Sequence, residues 1–326
     1  MYRSTHKGLL ATFFSPLEEV LMSRSRARRS VFAVPGSSEK MIGKALEFQV
    51  DQVFLDLEDA VAPDAKGIAR ELISSAVQKK FKAPTVSVRI NSLDSQWFTE
   101  DVEMLKSGVA RWIDSIIVPK VHRESDVVEV GRLLTQIESA AGREQGSITI
   151  DAQIESALGL VNCEKIAQAP RITSLNFGPA DFMADIGASA EEVTSNEYAL
   201  MRTLVAARAA GVAAIDGPTL EVRDISKFEK SADISSAMGF DGKWVLHPDQ
   251  IAACHRIFTP TQVRFDEAAM LLEAYEYFTS QSGGAKGAAI YKSAMIDEAS
   301  RKMALAVFSR GEAAGLVQSR HFSPGD

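Results

Sequence analysis

The sequence predicts an α/β protein whose main part is a (β/α)8 barrel, also called a TIM barrel. Short apolar runs alternate with longer stretches of helical character from residue 30 onward. Runs such as Val53-Phe54-Leu55 are apolar at every position, which is typical of parallel strands buried on both faces. The runs recur roughly every 30 residues, the length of a βα unit, and eight such units have the size of a closed barrel. A doubly wound sheet is the alternative, but it usually uses fewer strands.

The predicted strands are short runs rich in Val, Ile, Leu or Phe, each bounded by Gly, Pro, Asp or Asn. We predict strands over residues 30–34, 52–57, 85–90, 115–118, 147–154, 174–177, 212–215 and 243–246. The stretches between them are long enough for crossover helices, and Asp64 is a natural helix N-cap after Pro63. We predict helices over residues 37–48, 64–78, 124–140, 158–168, 195–210 and 225–238.

The two ends of the chain differ from the repeating middle. Residues 24–29 contain four arginines, at positions 24, 26, 28 and 29. For residues 1–29 we expect a disordered extension, with a targeting segment as the alternative. Residues 30–258 would form the barrel. Residues 259–326 would form a C-terminal helical extension, with helices over 261–280 and 291–307 joined by a glycine-rich break at 283–287. We expect this extension to act as a lid or to cover the site of a neighbouring subunit.

Composition excludes several classes of protein. The chain is 46% apolar and 24% charged, which is typical of an ordered globular protein, and its net charge of −7 argues against nucleic-acid binding. The two cysteines, Cys163 and Cys254, form no C-x-x-C pattern, so we expect no disulfide framework and no thiolate zinc site. The longest apolar runs reach only strand length, so no membrane span is predicted. These features favour a cytoplasmic protein.

Polar side chains follow seven consecutive predicted strands. The carboxyl ends of barrel strands meet at one face, which is where (β/α)8 enzymes carry their chemistry. The sequence therefore predicts a site on this face, built from Asp56, Glu58, Asp59, Arg89, Asn91, Lys120, Glu155, Asp181, Asp216 and His247.

Carboxylates dominate this set, and oxygen ligands suit a hard cation such as Mg2+. Glu155 and Asp181 are the preferred ligands, because each follows a strand and precedes a helix; either could instead be an N-cap or a surface acid. Glu58 and Asp59 could orient metal-bound water.

Arg89 is predicted to face the barrel interior, because alternation places Val86 and Val88 on the opposite face. Its guanidinium could clamp a substrate carboxylate or a developing enolate oxygen, or it could form a structural ion pair with Glu58 or Asp59. His247 is a candidate general base, although a His-Pro pair after a strand is as often structural.

A turn into a predicted helix N-terminus includes Pro35, Gly36 and Lys40. Free backbone N–H groups at a helix N-terminus bind phosphate, and Lys40 would add positive charge. No Walker or G-x-G-x-x-G pattern is present, so the turn by itself is a weak signal.

Seven motifs in order resemble the citrate lyase β-subunit and malyl-CoA lyase family, within the HpcH/HpaI aldolase superfamily. The resemblance covers roughly residues 28–305. The motifs are Arg29-Ser30-Val31-Phe32-Ala33-Val34-Pro35-Gly36, Leu55-Asp56-Leu57-Glu58-Asp59-Ala60-Val61, Val88-Arg89-Ile90-Asn91, Val118-Pro119-Lys120-Val121, Ile154-Glu155-Ser156-Ala157-Leu158-Gly159, Phe177-Gly178-Pro179-Ala180-Asp181-Phe182 and Gly242-Lys243-Trp244-Val245-Leu246-His247-Pro248.

This resemblance implies a (β/α)8 barrel that binds Mg2+ through Glu155 and Asp181 and contacts substrate through Arg89. It also implies that Asp297 acts as acid or base in the site of an adjacent subunit, where a water-poor pocket would raise its basicity. We expect Glu58 and Asp59 to assist catalysis, and Lys40, Pro35 and Gly36 to lie near the CoA phosphates. The remaining expected substrate contacts are Gly178, Pro179, Ala180 and Asp216.

The expected function is a lyase that cleaves or forms a 3-hydroxyacyl-CoA dicarboxylate, such as citramalyl-CoA or malyl-CoA. The products would be acetyl-CoA and a 2-oxo acid, and the protein would be a homo-oligomer, a trimer or hexamer. Three alternatives stay open: a thioesterase that uses the same pocket, a non-catalytic subunit of a larger citrate lyase complex, and an aldolase that acts on free hydroxy-diacids without CoA.

Overall fold

The computed structural model describes residues 26–188 and 196–324, which form two compact units. One unit comprises residues 28–258, and the described part of the other includes residues 259–324. Most of the predicted N-terminal extension lies outside the described residues, as does Ser195, the first residue of one predicted helix. No helix within the described ranges is long and apolar enough to cross a membrane.

Residues 28–258 contain a closed barrel of eight parallel strands, which confirms the predicted fold class. The strands are hydrogen-bonded in chain order, and the first closes onto the eighth. Continuous apolar runs form these strands because both of their faces are buried. The strands are β1 (Ser30–Pro35), β2 (Gln52–Asp56), β3 (Thr85–Arg89), β4 (Ser115–Val118), β5 (Thr149–Ile154), β6 (Ile172–Phe177), β7 (Ala213–Asp216) and β8 (Gly242–Val245).

Alternation along each strand divides its side chains between the barrel interior and the helices outside. Val31, Phe54, Ile117, Ile215 and Trp244 pack together as one buried cluster inside the barrel. Their neighbours along the strands belong to a separate, larger cluster that includes apolar residues of the surrounding helices. A residue's parity along its strand therefore decides whether its side chain can reach a site inside the barrel.

The described residues of the barrel unit, 28–188 and 196–258, contain ten α-helices, three of which the sequence did not predict. The unpredicted helices are α3 (Phe98–Lys106), α7 (Pro179–Asp185) and α10 (Gln250–Phe258). The helix predicted over 158–168 is divided at Asn162 into α5 (Ala157–Val161) and α6 (Cys163–Gln168). Asp64 lies in a short 3-10 turn rather than at a helix N-cap. The helices are α1 (Glu39–Ala45), α2 (Lys66–Ala76), α3 (Phe98–Lys106), α4 (Glu124–Ala141), α5 (Ala157–Val161), α6 (Cys163–Gln168), α7 (Pro179–Asp185), α8 (Glu197–Ala209), α9 (Ile225–Met238) and α10 (Gln250–Phe258).

The C-terminal unit differs from its prediction in one place. It contains α11 (Gln262–Thr279), a hairpin of β9 (Ala289–Tyr291) and β10 (Ala294–Ile296), and α12 (Glu298–Ala313). The helix predicted over 291–307 is therefore wrong in its first turns. Lys292 and Ser293 have φ angles of 45° and 66°, as a two-residue hairpin turn requires, and left-handed backbone cannot continue a helix.

Arg28 and Arg29, predicted to lie in the extension over residues 1–29, belong instead to the barrel unit. The Arg28 guanidinium lies 2.7 Å from the Asp151 carboxylate inside the barrel. Arg29 donates from both Nε and Nη2 to Asp51, at 2.8 Å each. Burial opposes ionisation of Asp151, but Arg28, the Ser174 hydroxyl and the Gln52 amide outweigh it and lower the pKa of Asp151. The barrel unit thus begins at Arg28.

Candidate active site

Three buried, ionisable side chains at the carboxyl ends of strands form the centre of the candidate site. Asp56 ends β2, Arg89 ends β3, and Glu155 directly follows β5. Asp56 and Arg89 are register partners across the β2–β3 pair. None of the three is more than 6% exposed, so any charge that they carry must be matched inside the protein.

Arg89 is held by two carboxylates. Its Nε and Nη2 donate to the two oxygens of Asp56 at 2.7 and 2.6 Å, and its Nη1 lies 3.1 Å from Glu58 Oε2. Burial by itself would lower the pKa of Arg89, but the charge and hydrogen bonds of Asp56 outweigh it, so the pKa is raised. The sequence placed Arg89 correctly on the inner face, whereas Asp56 is a partner that it did not predict.

An aromatic floor lies beneath the guanidinium of Arg89. The Phe54 and Trp244 rings pack with centroids 4.6 Å apart, and the guanidinium carbon lies 5.8 and 5.3 Å from those centroids. The Trp244 indole N–H donates to Asn176 Oδ1 at 2.8 Å. Aromatic faces attract cations, so this floor restricts the position of Arg89.

Glu58 links the two cations of the site. Its Oε1 accepts from Lys120 Nζ at 2.6 Å, and Arg89 lies at its other oxygen. Burial raises the pKa of Glu58 more than Arg89 and Lys120 lower it. The neighbouring Asp59 has a side chain 53% exposed, with Oδ1 3.6 Å from Lys120 Nζ. Glu58 is thus an internal ion-pair partner, while Asp59 lies towards the solvent.

The surroundings of Glu155 disfavour the ionised form of its carboxyl group. Its Oε1 accepts the backbone N–H of Lys120 at 2.7 Å, and its Oε2 accepts the side-chain amide of Gln153. Burial, together with the negative charges of Asp181 and Glu58, raises the pKa of Glu155 to about 8. A carboxylate in this setting is stabilised by any cation that approaches it.

Gly178 supplies the space that Glu155 occupies. A Cβ at this position would lie 2.5 Å from Glu155 Oε2 and 3.1 Å from Gln153 Nε2. The backbone φ at Gly178 is −105°, which any residue can adopt. The position therefore requires glycine for space and not for backbone conformation. Among the predicted substrate contacts, Gly178 is the one that the structure places against Glu155.

Asp181 lies in the first turn of α7, three residues after Gly178. It is partly exposed, and its charge is close enough to raise the pKa of Glu155, so the two predicted metal ligands are neighbours. In the described part of the chain, no three His, Cys, Asp or Glu side chains cluster so that they could enclose a metal ion. A pair of oxygen donors would leave coordination positions for water and substrate, as Mg2+ sites usually do.

A buried lysine that sequence analysis missed holds the loop after β2. Lys66 Nζ donates to the carbonyls of Leu57 and Glu58 at 2.6 and 2.8 Å, and to Asn91 Oδ1 at 2.7 Å. The amide of Asn91 donates in turn to Asp101 at 2.7 Å. Burial lowers the pKa of Lys66. No motif marks this lysine, because its role depends on the fold returning α2 to the end of β2.

Asp216, predicted to contact substrate, instead faces away from the barrel interior. Ile215 belongs to the interior cluster, so the next residue along β7 points outward. Asp216 Oδ2 accepts from Lys243 Nζ at 2.6 Å in a buried ion pair. The prediction ended the strand at residue 215, whereas β7 continues through Asp216. Because Asp216 is still part of the strand, alternation directs its side chain to the outer face.

The remaining predicted residues have separate positions. Gly36 packs against β2, where a Cβ would lie 2.5 Å from the Asp56 carbonyl oxygen, and Lys40 is exposed on α1. Ala180 is exposed in the first turn of α7. The His247 ring accepts the Asp249 backbone N–H through Nδ1 at 3.3 Å, which is a local turn contact.

Asp297 belongs to the C-terminal unit and caps α12. Its Oδ1 accepts the backbone N–H of Ser300 at 2.9 Å and the Ser300 hydroxyl at 3.0 Å. These hydrogen bonds lower the pKa of Asp297. In the single chain this carboxyl is thus stabilised in its ionised form. The raised basicity expected of Asp297 concerns the pocket of an adjacent subunit and stays a prediction.

Comparison with known proteins decides the family. Residues 29–248 match the model of the HpcH/HpaI aldolase/citrate lyase family. The chain belongs to this family. The L-malyl-CoA/beta-methylmalyl-CoA lyase of Rhodobacter capsulatus is 34% identical over 311 residues, covering 89% of this chain and 96% of that protein. The citrate lyase subunit beta of Escherichia coli is 32% identical over 296 residues, covering 90% and 96%.

Solved structures of family members share the fold. A citrate lyase from Burkholderia xenovorans superposes with a TM-score of 0.78 at 23% identity, covering 89% of this chain and 93% of that one. The CitE protein of Mycobacterium tuberculosis, solved with magnesium and pyruvate, gives a TM-score of 0.61 at 26% identity, covering 73% and 93%.

Proposed function

We propose that this protein is a Mg2+-dependent lyase that cleaves, or in reverse forms, a 3-hydroxyacyl-CoA dicarboxylate. Citramalyl-CoA and malyl-CoA are the substrates with the expected chemistry, and the products would be acetyl-CoA and either pyruvate or glyoxylate. The observation that carries the proposal is the buried Glu155 carboxyl, which has a pKa raised to about 8 and has Asp181 beside it. The charged guanidinium of Arg89 is close enough to interact with Glu155. The names of the lyase relatives and the magnesium–pyruvate complex of the CitE protein support it.

The residues present fit a hard divalent cation. Glu155 and Asp181 offer oxygen donors only, and their mutual repulsion would be relieved by a cation between them. These two residues would hold the ion. When bound, Mg2+ polarises oxygen atoms of the substrate and orients the 2-oxo acid.

Arg89 is suited to stabilise charge that develops during the reaction. Breaking the C–C bond leaves an electron pair that moves onto the thioester oxygen as an enolate. A fixed guanidinium in a buried site stabilises such charge without having to reorganise. Asp56 and the aromatic floor of Phe54 and Trp244 keep the guanidinium in place before substrate arrives.

Asp297 of a neighbouring subunit would move the proton at the acetyl carbon. In the cleavage direction the 3-hydroxyl group loses its proton as the C–C bond breaks and its oxygen becomes the carbonyl of the 2-oxo acid, and the enolate carbon takes up a proton. In the condensation direction the acetyl-CoA methyl group loses a proton and the new hydroxyl oxygen gains one. The lowered pKa of Asp297 keeps it ionised at neutral pH, the form required of a base in condensation. This role requires a homo-oligomer. Lys40 and the turn at Pro35 and Gly36 would lie near the CoA phosphates.

The experiment is to incubate the full chain with Mg2+, acetyl-CoA and either pyruvate or glyoxylate, and to identify products by mass spectrometry. Formation of a C–C coupled CoA ester that requires Mg2+ is the expected result. Glu155→Gln should abolish it, while Lys82→Gln, which removes a lysine from an exposed ion pair before β3, should not. Release of free CoA without any coupled product would indicate a thioesterase instead, and the absence of any reaction would indicate a non-catalytic subunit.

A further inference from the structure

Lys120 has a backbone conformation that lysine rarely adopts. Its φ is +52°, in the left-handed region that favours glycine, and it lies two residues after the end of β4, at the carboxyl face of the barrel. A residue other than glycine that is held there costs conformational free energy, and such residues are concentrated at functional sites. Glycine would fit this backbone with less strain, so the reason for a lysine at position 120 must lie in its side chain.

Both parts of Lys120 contact the candidate site. Its backbone N–H, directed by the left-handed turn, donates to Glu155 Oε1 at 2.7 Å. Its ammonium donates to Glu58 Oε1 at 2.6 Å, and the other oxygen of Glu58 lies against the Arg89 guanidinium. One residue thus connects the predicted metal ligand to the carboxylate that helps to hold the arginine.

We propose that Lys120 is a positioning residue for the lyase reaction, with separate roles for its backbone and its side chain. The backbone N–H orients Glu155 towards the metal. The ammonium holds Glu58, and through Glu58 it fixes Arg89 relative to the metal. This inference rests on the proposed function for its kinetic part, whereas its metal-binding part concerns only the apoprotein and a divalent cation.

Three substitutions separate the two roles. Lys120→Gly allows the left-handed backbone and keeps the N–H, but it removes the ammonium. Lys120→Arg keeps a cation that can reach Glu58. Lys120→Val removes the cation and disfavours the left-handed backbone, because β-branched residues rarely adopt positive φ. Lys82→Gly is the matched control, because Lys82 is a loop lysine paired with one carboxylate and lies before β3, at the opposite end of the strands.

The first measurement is Mn2+ binding to the full-length protein, by electron paramagnetic resonance or calorimetry, with thermal unfolding to confirm that each variant is folded. We expect the dissociation constants of Lys120→Gly and Lys120→Arg to lie within about threefold of the unsubstituted protein. Lys120→Val should bind at least about tenfold more weakly. Equal Mn2+ affinity for a folded Lys120→Val and the unsubstituted protein would overturn the backbone role.

The second measurement is steady-state kinetics at saturating Mg2+. Lys120→Gly should lose about 10- to 100-fold in kcat with little change in KM, because a guanidinium displaced by about 1 Å forfeits stabilisation at the transition state. Lys120→Arg should recover most of this loss, and Lys82→Gly should match the unsubstituted protein. Full activity of Lys120→Gly would overturn the side-chain role. An unsubstituted protein that shows no lyase activity would instead refute the proposed function, and the Mn2+ measurement would still test the backbone role.

Discussion

The substitution Gly178→Ala tests the geometry of the candidate site most directly. The new Cβ would lie 2.5 Å from Glu155 Oε2, about 0.9 Å closer than ordinary van der Waals contact at 3.4 Å. Because the backbone φ of −105° is open to alanine, the consequence should be a displaced Glu155 and not a strained loop. The overlap should also cost about 1–3 kcal/mol of stability, the usual range for overpacking a buried position.

A displacement of this size acts on both metal binding and catalysis. We expect Gly178→Ala to bind Mn2+ at least about tenfold more weakly, and to lose about 100-fold or more in kcat/KM, since a misplacement of about 1 Å costs that much in a preorganised site. Calorimetry with Mn2+ and a coupled CoA assay over a Mg2+ titration would measure the two effects.

Gly67→Ala is the matched control. A Cβ at Gly67 meets no atom within 4 Å, and the residue lies within helix α2, where alanine is favoured by about 1 kcal/mol over glycine. This variant should be at least as stable as the parent and equally active. Unaltered Mn2+ affinity and turnover in a folded Gly178→Ala protein would show that Glu155 is not the metal ligand, or that it is not held where the structure places it.

Three further predictions follow from the charges of the site. The pKa of Glu155 is raised from an ordinary 4.5 to about 8, so the apoprotein should lose stability relative to Glu155→Gln as pH rises from about 5 to 9. Mg2+ should restore the lost stability. A difference in melting temperature between the two proteins that does not change with pH would contradict this prediction. Arg89→Met should destabilise the protein by about 3–5 kcal/mol in urea unfolding, because Asp56 is left buried without its ion-pair partner. If loss of the Arg89–Asp56 ion pair is the cause, the double variant Arg89→Met/Asp56→Leu should recover much of this stability. Asp297→Asn should lower kcat by about 100- to 10,000-fold. Its Mn2+ affinity and melting temperature should be nearly unchanged, because asparagine also caps helices. If sites are shared between subunits, mixing Asp297→Asn subunits with Glu155→Gln subunits should restore up to about a quarter of the activity.

The fold could be predicted because its signal repeats. Each strand of the barrel is short, rich in apolar residues and buried on both faces, and eight such runs at similar spacing leave few other architectures. The prediction failed where a local turn overrode a periodic pattern. Residues 291–307 carry apolar side chains at helical spacing, but Lys292 and Ser293 adopt left-handed backbone and close a hairpin.

The site could be predicted only in part, because strand ends can be read from sequence but the partners of their side chains cannot. Arg89 was placed by the alternation of its own strand, and that placement is confirmed. Asp216 was misplaced because the predicted strand ended one residue early, and the parity of the following residues depends on that boundary. Lys66 reaches the loop after β2 because α2 returns to the end of that strand, and the Gln153 amide meets Glu155 because both lie on the same face at the end of β5. Neither contact follows from a motif in the sequence.

The distribution of charge explains why the candidate site should accept a metal ion before it accepts an anionic substrate. Each cation of the inner site is bonded to a buried acid, since Arg89 is paired with Asp56 and Lys120 is paired with Glu58. In the described structure Glu155 accepts hydrogen bonds from two neutral donors, a backbone N–H and an amide, and it faces the charge of Asp181. A dicarboxylate that entered this site would meet net negative charge, whereas a divalent cation would neutralise it. The apoprotein should therefore bind 2-oxo acids far more weakly than the Mg2+-loaded protein does. Equal affinity for pyruvate with and without Mg2+ would show that the arginine alone receives the substrate.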